Sequence, residues 1–122
     1  MKLLVCGTRI HGFNFRDAYR QKVFDSLSSY YGAVAVLEIV EGCCPNSADE
    51  FAEEYAVLHG LKIHHFPSSS GNYLKRNIEM VDDCDEVLAF YDKFSYGTAH
   101  TIANAVLAGK PVKIVDISGV KR

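Results

Sequence analysis

Five short apolar runs, each parted from the next by a segment of helical spacing, limit what this chain can fold into more than any other feature. The runs are Lys2–Cys6 (KLLVC), Val34–Val40 (VAVLEIV), Leu61–Phe66 (LKIHHF), Val87–Phe90 (VLAF) and Val112–Ile117 (VKIVDI). Each has the length of one strand, and the β-branched second run, whose one charge is Glu38, reads as buried on both faces. Between the first two runs, Arg16–Ser29 carries Val23, Leu27 and Tyr30 at i, i+4 and i+7, with Phe24 widening the stripe. Gly32 is expected to close that helix. A second helix is expected after Asn46 or Ser47, either of which can cap it, with Asp49 and Glu50 in its first turn. Its inward face is predicted as Ala48, Phe51, Ala52, Tyr55 and Leu58, and His59-Gly60 ends it. A third helix is expected from Asn72 to Val81, after the loop Pro67–Gly71. A fourth opens at Gly97-Thr98, turns Ile102, Ala103, Val106 and Leu107 to one side, and stops at Gly109-Lys110-Pro111.

The order is βαβαβαβαβ. Right-handed crossovers turn such a chain into a parallel sheet covered by helices on both faces. The prediction is an α/β fold: a three-layer Rossmann-like domain over residues 1–122, with a five-stranded parallel sheet in the order 3-2-1-4-5. No internal repeat, low-complexity tract or linker divides it. That order puts the switch point between strands 1 and 4, where open α/β sheets take ligands.

Composition narrows the function classes. The formal charge is -2 and no basic block occurs, so phosphate-driven binding to duplex nucleic acid is not expected. No apolar run approaches a membrane span, and no signal-peptide pattern opens the chain. The cysteines Cys6, Cys43, Cys44 and Cys84 form no C-x-x-C pair, and Cys43-Cys44 has no histidine near it in sequence. Strand alternation sends His64 and His65 to opposite sides, which argues against a shared metal. No metal and no resident cofactor are expected. Most of the thiols are expected to be buried, in a reducing cytoplasm.

The candidate binding residues lie in the turns at the carboxyl ends of strands. Gly7-Thr8-Arg9 follows the first strand at once; Arg9 suits a phosphate or carboxylate, or is a solvated loop cation. Across the expected crevice stand Ser95, Gly97 and Thr98, at the start of the fourth helix. Gly97 permits close approach of a ligand, and Thr98 can cap the helix or hold a phosphate oxygen. Glu41–Ser47, which holds Gly42, is a second turn at a strand's carboxyl end. Asp49 is either a partner of the helix dipole or a carboxylate for ribose hydroxyls. The aromatics of the loop Ile10–Phe15 either wall a flat ligand or tuck into the core.

These turns resemble those of the YspA-like family, a family of unknown function in the SLOG (Smf/DprA–LOG) superfamily. Gly7-Thr8-Arg9 resembles its G-S-R signature. Gly42 followed by Ser47-Ala48-Asp49 resembles its glycine loop ending in G-A-D, with Ser47 in place of the glycine. Lys75-Arg76-Asn77 with Glu79-Met80 is similar to its K-R-N-x-E-M segment. Asp92 through Thr98 resembles its D-G-K-S-x-G-T turn, with Lys93 and Phe94 in the third and fourth slots. The resemblance runs over nearly the whole chain in the right order. It implies a Rossmann-like fold and a nucleotide or nucleotide-derived ligand, bound by a sensor or a sequestering protein. The implied roles put phosphate on Gly97 and Thr98, helped by Thr8 and Arg9. A second anion falls to Arg76 beside Asn77, ribose to Asp49, and a base to Phe13 or Tyr96.

The LOG branch of that superfamily hydrolyses the N-glycosidic bond of nucleoside monophosphates. It resembles this chain in an arginine matched by Arg76 and in the G-T matched by Gly97-Thr98, but its catalytic glutamate falls at Thr101. A hydroxyl cannot replace that carboxylate near neutral pH. Hydrolysis or transfer here would need another carboxylate, with Asp49, Glu41 and Asp92 as candidates. A DNA-handling role by analogy with DprA, and a scaffold with a vestigial pocket, are further alternatives. A homodimer or higher homo-oligomer is expected from the habit of related Rossmann-like domains to pair through surface helices, with which the seven Tyr and seven Phe are compatible.

Overall fold

In the computed structural model, which describes residues 1–10, 15–68 and 72–119, nine elements alternate along the chain. They are β1 (Lys2–Gly7), α1 (Arg16–Ala33), β2 (Glu38–Glu41), α2 (Ala48–His59), β3 (Ile63–His65), α3 (Tyr73–Asp83), β4 (Glu86–Tyr91), α4 (Tyr96–Leu107) and β5 (Val112–Asp116). The five strands form one parallel sheet in the order β3-β2-β1-β4-β5, as predicted.

Strand alternation divides the core in two. Leu3, Val5, Ile39, Leu88 and Phe90 pack with Tyr19, Val23 and Leu27 of α1 and Phe51, Ala52 and Tyr55 of α2. Leu4, Cys6, Val40, Val87 and Ala89 face the other way, onto Met80 and Val81 of α3 and Ala105 of α4. A residue of a strand buried on both faces must be apolar whichever way it points, and β1 and β4 meet that condition almost throughout. Among the described residues no helix is long and apolar enough to cross a membrane.

Five expectations need correction. α1 runs past Gly32 to Ala33, because a lone glycine lowers helix propensity without stopping the helix. β2 starts at Glu38 rather than Val34: its pairing with β1 begins at Lys2↔Glu38, so Val34–Leu37 have no strand beside them, and Val36 is exposed. β3 keeps only three residues of the expected six. On α2 the inward position after Tyr55 is Ala56, and Leu58 is exposed. The larger error is on α4, where the buried residues are Thr98, Thr101 and Ala105, while Val106 and Leu107 are 63% and 85% exposed.

Candidate functional site

Helices α2, α3 and α4, the end of β1 and the turns that follow β1, β2 and β4 line a cavity of about 310 Å³. Glycine is demanded where strand meets cavity. A Cβ on Gly7 would come within 2.4 Å of the Tyr19 hydroxyl and 2.8 Å of Ala48 Cβ. Gly7 is therefore fixed by packing as well as by its place on the cavity wall. Next to it, Thr8 is occupied: its hydroxyl donates to Asp92 Oδ1 at 3.0 Å and its carbonyl accepts from Tyr19 at 2.9 Å. Thr8 does not line the cavity, whereas exposed Arg9 does.

α2 begins with Ser47, whose hydroxyl accepts from the Asp49 N–H at 3.2 Å and donates to the Cys44 carbonyl at 2.9 Å. Of the two expected caps, Ser47 is the one used. Asp49 is buried against the cavity, and its Oδ2 accepts from the N–H groups of Gly42 and Cys44 at 3.0 and 3.3 Å. Burial raises its pKa above the usual aspartate range, against those two hydrogen bonds and the nearby Arg76 charge.

α3 supplies one whole wall. Tyr73, Arg76, Asn77 and Met80 stand at i, i+3, i+4 and i+7 and all line the cavity. Arg76 is only 9% exposed. Its Nη1 donates to the carbonyls of Gly42 at 2.6 Å and Phe66 at 3.2 Å, its Nε donates to Asn77 Oδ1 at 3.1 Å, and its Nη2 lies 3.8 Å from Cys44 Sγ. All four partners are neutral, and among the described residues this guanidinium makes no ion pair. Gly42 does not line the cavity; its role is to let Arg76 through, since a Cβ there would stand 2.3 Å from Nη1.

α4 closes the opposite side. Ser95 caps it, accepting from the Thr98 N–H at 3.3 Å and donating to the Thr98 hydroxyl at 3.0 Å. The cap expected of Thr98 thus belongs to Ser95. The Gly97 N–H, in the first turn, has no intrahelical acceptor. Gly97 lines the cavity, and a Cβ on it would meet nothing within 4 Å. Thr101 also faces the cavity, with its hydroxyl bonded to the Gly97 carbonyl at 3.1 Å.

The structure therefore brings Gly7, Arg9, Ser47, Asp49, Arg76, Asn77, Ser95, Gly97 and Thr98 around one space. It leaves the carboxylates Glu41 and Asp92 outside it. Asp92 is buried and holds the turn before α4, its Oδ1 accepting from the N–H groups of Phe94 and Ser95 at 2.9 and 3.1 Å. Glu41 turns to Cys43 and His65 instead, and burial pushes its carboxyl up to about 7. Tyr96 is exposed and away from the cavity, and Phe13 lies outside the described residues. Among the described residues the aromatic on the wall is Tyr73, at i, i+3 spacing to Arg76. Cys43 is exposed and Cys44 half-buried, so only Cys6 and Cys84 are the buried thiols expected. Comparison with protein-family models and with curated proteins finds no match to this chain.

Proposed function

We propose that this protein binds a nucleotide or nucleotide-derived small molecule, as a sensor or a sequestering protein, at the carboxyl ends of β1 and β4. The observation that carries the reading is Arg76: a guanidinium nine-tenths buried, on the wall of a cavity, with only neutral partners among the described residues. Neutral acceptors satisfy its hydrogens, and the nearby Asp49 carboxylate makes no ion pair with it, so an anionic ligand in the cavity would be its direct charge partner. The first turn of α4 adds the Gly97 N–H and the positive end of a helix dipole to the same space. A phosphate on Gly97 and Thr98, a second anionic group toward Arg76, ribose hydroxyls on Asp49 and a base against Tyr73 use each wall once. A volume of about 310 Å³ suits one mononucleotide, at the small end of the usual range for ligand cavities.

Calorimetric titration with nucleoside mono- and diphosphates tests this. One-to-one binding at micromolar concentration or below is expected, weakened about tenfold or more in Arg76→Gln. No heat with any of them at millimolar concentration would end the reading.

Hydrolysis of a nucleoside monophosphate is a second reading, and one observation favours it. Of the three carboxylates Asp49, Glu41 and Asp92, Asp49 alone lines the cavity, and its raised pKa suits a proton donor. Chromatography for free base, with Asp49→Asn as the control, separates turnover from binding. We also infer a homo-oligomer, joined through the apolar outer face of α4, and a reducing cytoplasmic setting for the four free cysteines.

A further inference from the structure

Outside the cavity, the turn between β2 and α2 gathers three different metal-binding groups. Parallel pairing sets Glu41 of β2 beside His65 of β3. Two residues after Glu41, Cys43 takes a left-handed backbone, φ 62°. There its thiol donates to Glu41 Oε1 at 3.2 Å and its N–H to Glu41 Oε2 at 3.1 Å. His65 Nε2 stands 3.6 Å from the same Oε1. One donor atom from each of Glu41, Cys43 and His65 falls within 4.8 Å of the others. His64, the next residue along, bonds Glu38 on the other side of the sheet and takes no part.

We propose that Glu41, Cys43 and His65 form a binding site for a divalent transition-metal ion, with zinc as the best fit. Zinc bonds of about 2.0–2.3 Å in a tetrahedron set ligand atoms roughly 3.3–3.8 Å apart. The two separations at Glu41 Oε1, 3.2 and 3.6 Å, already approach that spacing. Thiol, imidazole and carboxylate together favour zinc over magnesium or calcium, which seek oxygen alone. Cys43 is exposed and His65 half-exposed, which leaves the ion a way in. Glu41 is 1% exposed, so the ion would seat on a carboxylate held in place by its surroundings. On binding, the Cys43 thiol loses to solvent the proton it now shares with Glu41. His65 Nε2 exchanges its hydrogen bond to Glu53 for the metal, and water fills the fourth position. This reverses the expectation drawn from sequence spacing, because the histidine that completes the set arrives through strand register.

Cobalt and zinc titrations of the chelator-treated full chain test the site. One equivalent of cobalt should bind with a thiolate-to-cobalt charge-transfer band in the near ultraviolet, and zinc should displace it. Cys43→Ser should remove that band, and Cys43→Ser and His65→Ala should each weaken zinc binding by about tenfold or more. His64→Ala should leave both unchanged. Absence of the thiolate band, or zinc affinity unaltered in Cys43→Ser and His65→Ala, would overturn the proposal. Circular dichroism of each variant shows that any loss is not a loss of fold.

Discussion

Two glycines separate the demands of folding from those of binding. Gly42 is sterically required, because a Cβ there would collide with a guanidinium held by buried acceptors. Gly42→Ala should cost about 1–3 kcal/mol in urea denaturation and displace Arg76 from the wall. Gly97 faces open space in the first turn of a helix. Gly97→Ala should leave stability unchanged or raise it by up to about 1 kcal/mol. It should nevertheless weaken the proposed nucleotide binding, because the added methyl would stand where the phosphate is proposed to sit. Asp49 carries a pH signature. Its folded pKa lies above the ordinary value of 3.8, so its contribution to stability is present in acid and is lost as pH rises through the folded value. Asn accepts the same two backbone N–H groups without a charge. Denaturation across a pH series should therefore show a smaller decline in Asp49→Asn than in the wild type, the remainder belonging to Glu41, whose carboxyl burial raises to about 7.

At the scale of elements, α4 is both the most exposed prediction and the most instructive. Ser95→Ala removes the side-chain acceptor for Thr98 N and should cost about 1 kcal/mol, a fall of roughly 3–5 °C in melting temperature. The strand-loop-helix order around this element was legible, because Val87–Phe90 and Ser95–Thr98 carry local signals: an apolar run, a cap and a glycine. Its orientation was not. An apolar stripe at Ile102, Ala103, Val106 and Leu107 reads as a core face; Ile102 does pack against the core, but Val106 and Leu107 point outward and the helix lays Thr98, Thr101 and Ala105 against sheet and cavity. Small and polar residues are needed there to leave room and to bond Gly97. α3 is the opposite case: Arg76 and Asn77 were legible as site residues, and the same helical spacing extends to Tyr73 and Met80. What stayed hidden depends on register. No feature of residues 41–43 announces that His65, more than twenty positions later, will pair beside Glu41.

For the molecule as a whole, the outward Val106 and Leu107 give the inferred self-association a location. Light scattering after size exclusion should report a multiple of 13.6 kDa for the wild type and a monomer for Val106→Lys/Leu107→Lys with an unchanged circular dichroism spectrum. A monomeric wild type would remove that inference. The sheet order needed no such test, since handed crossovers admit few arrangements of alternating strands and helices. One further consequence belongs to Asp92, which ties the end of β1 to the turn before α4 through Thr8, Phe94 and Ser95. The two lips of the crevice are thereby braced to each other before any ligand arrives. For the ligand proposed above, these two lips lose little backbone entropy on association, and its encounter with them is drawn by charge attraction toward Arg9 and Arg76.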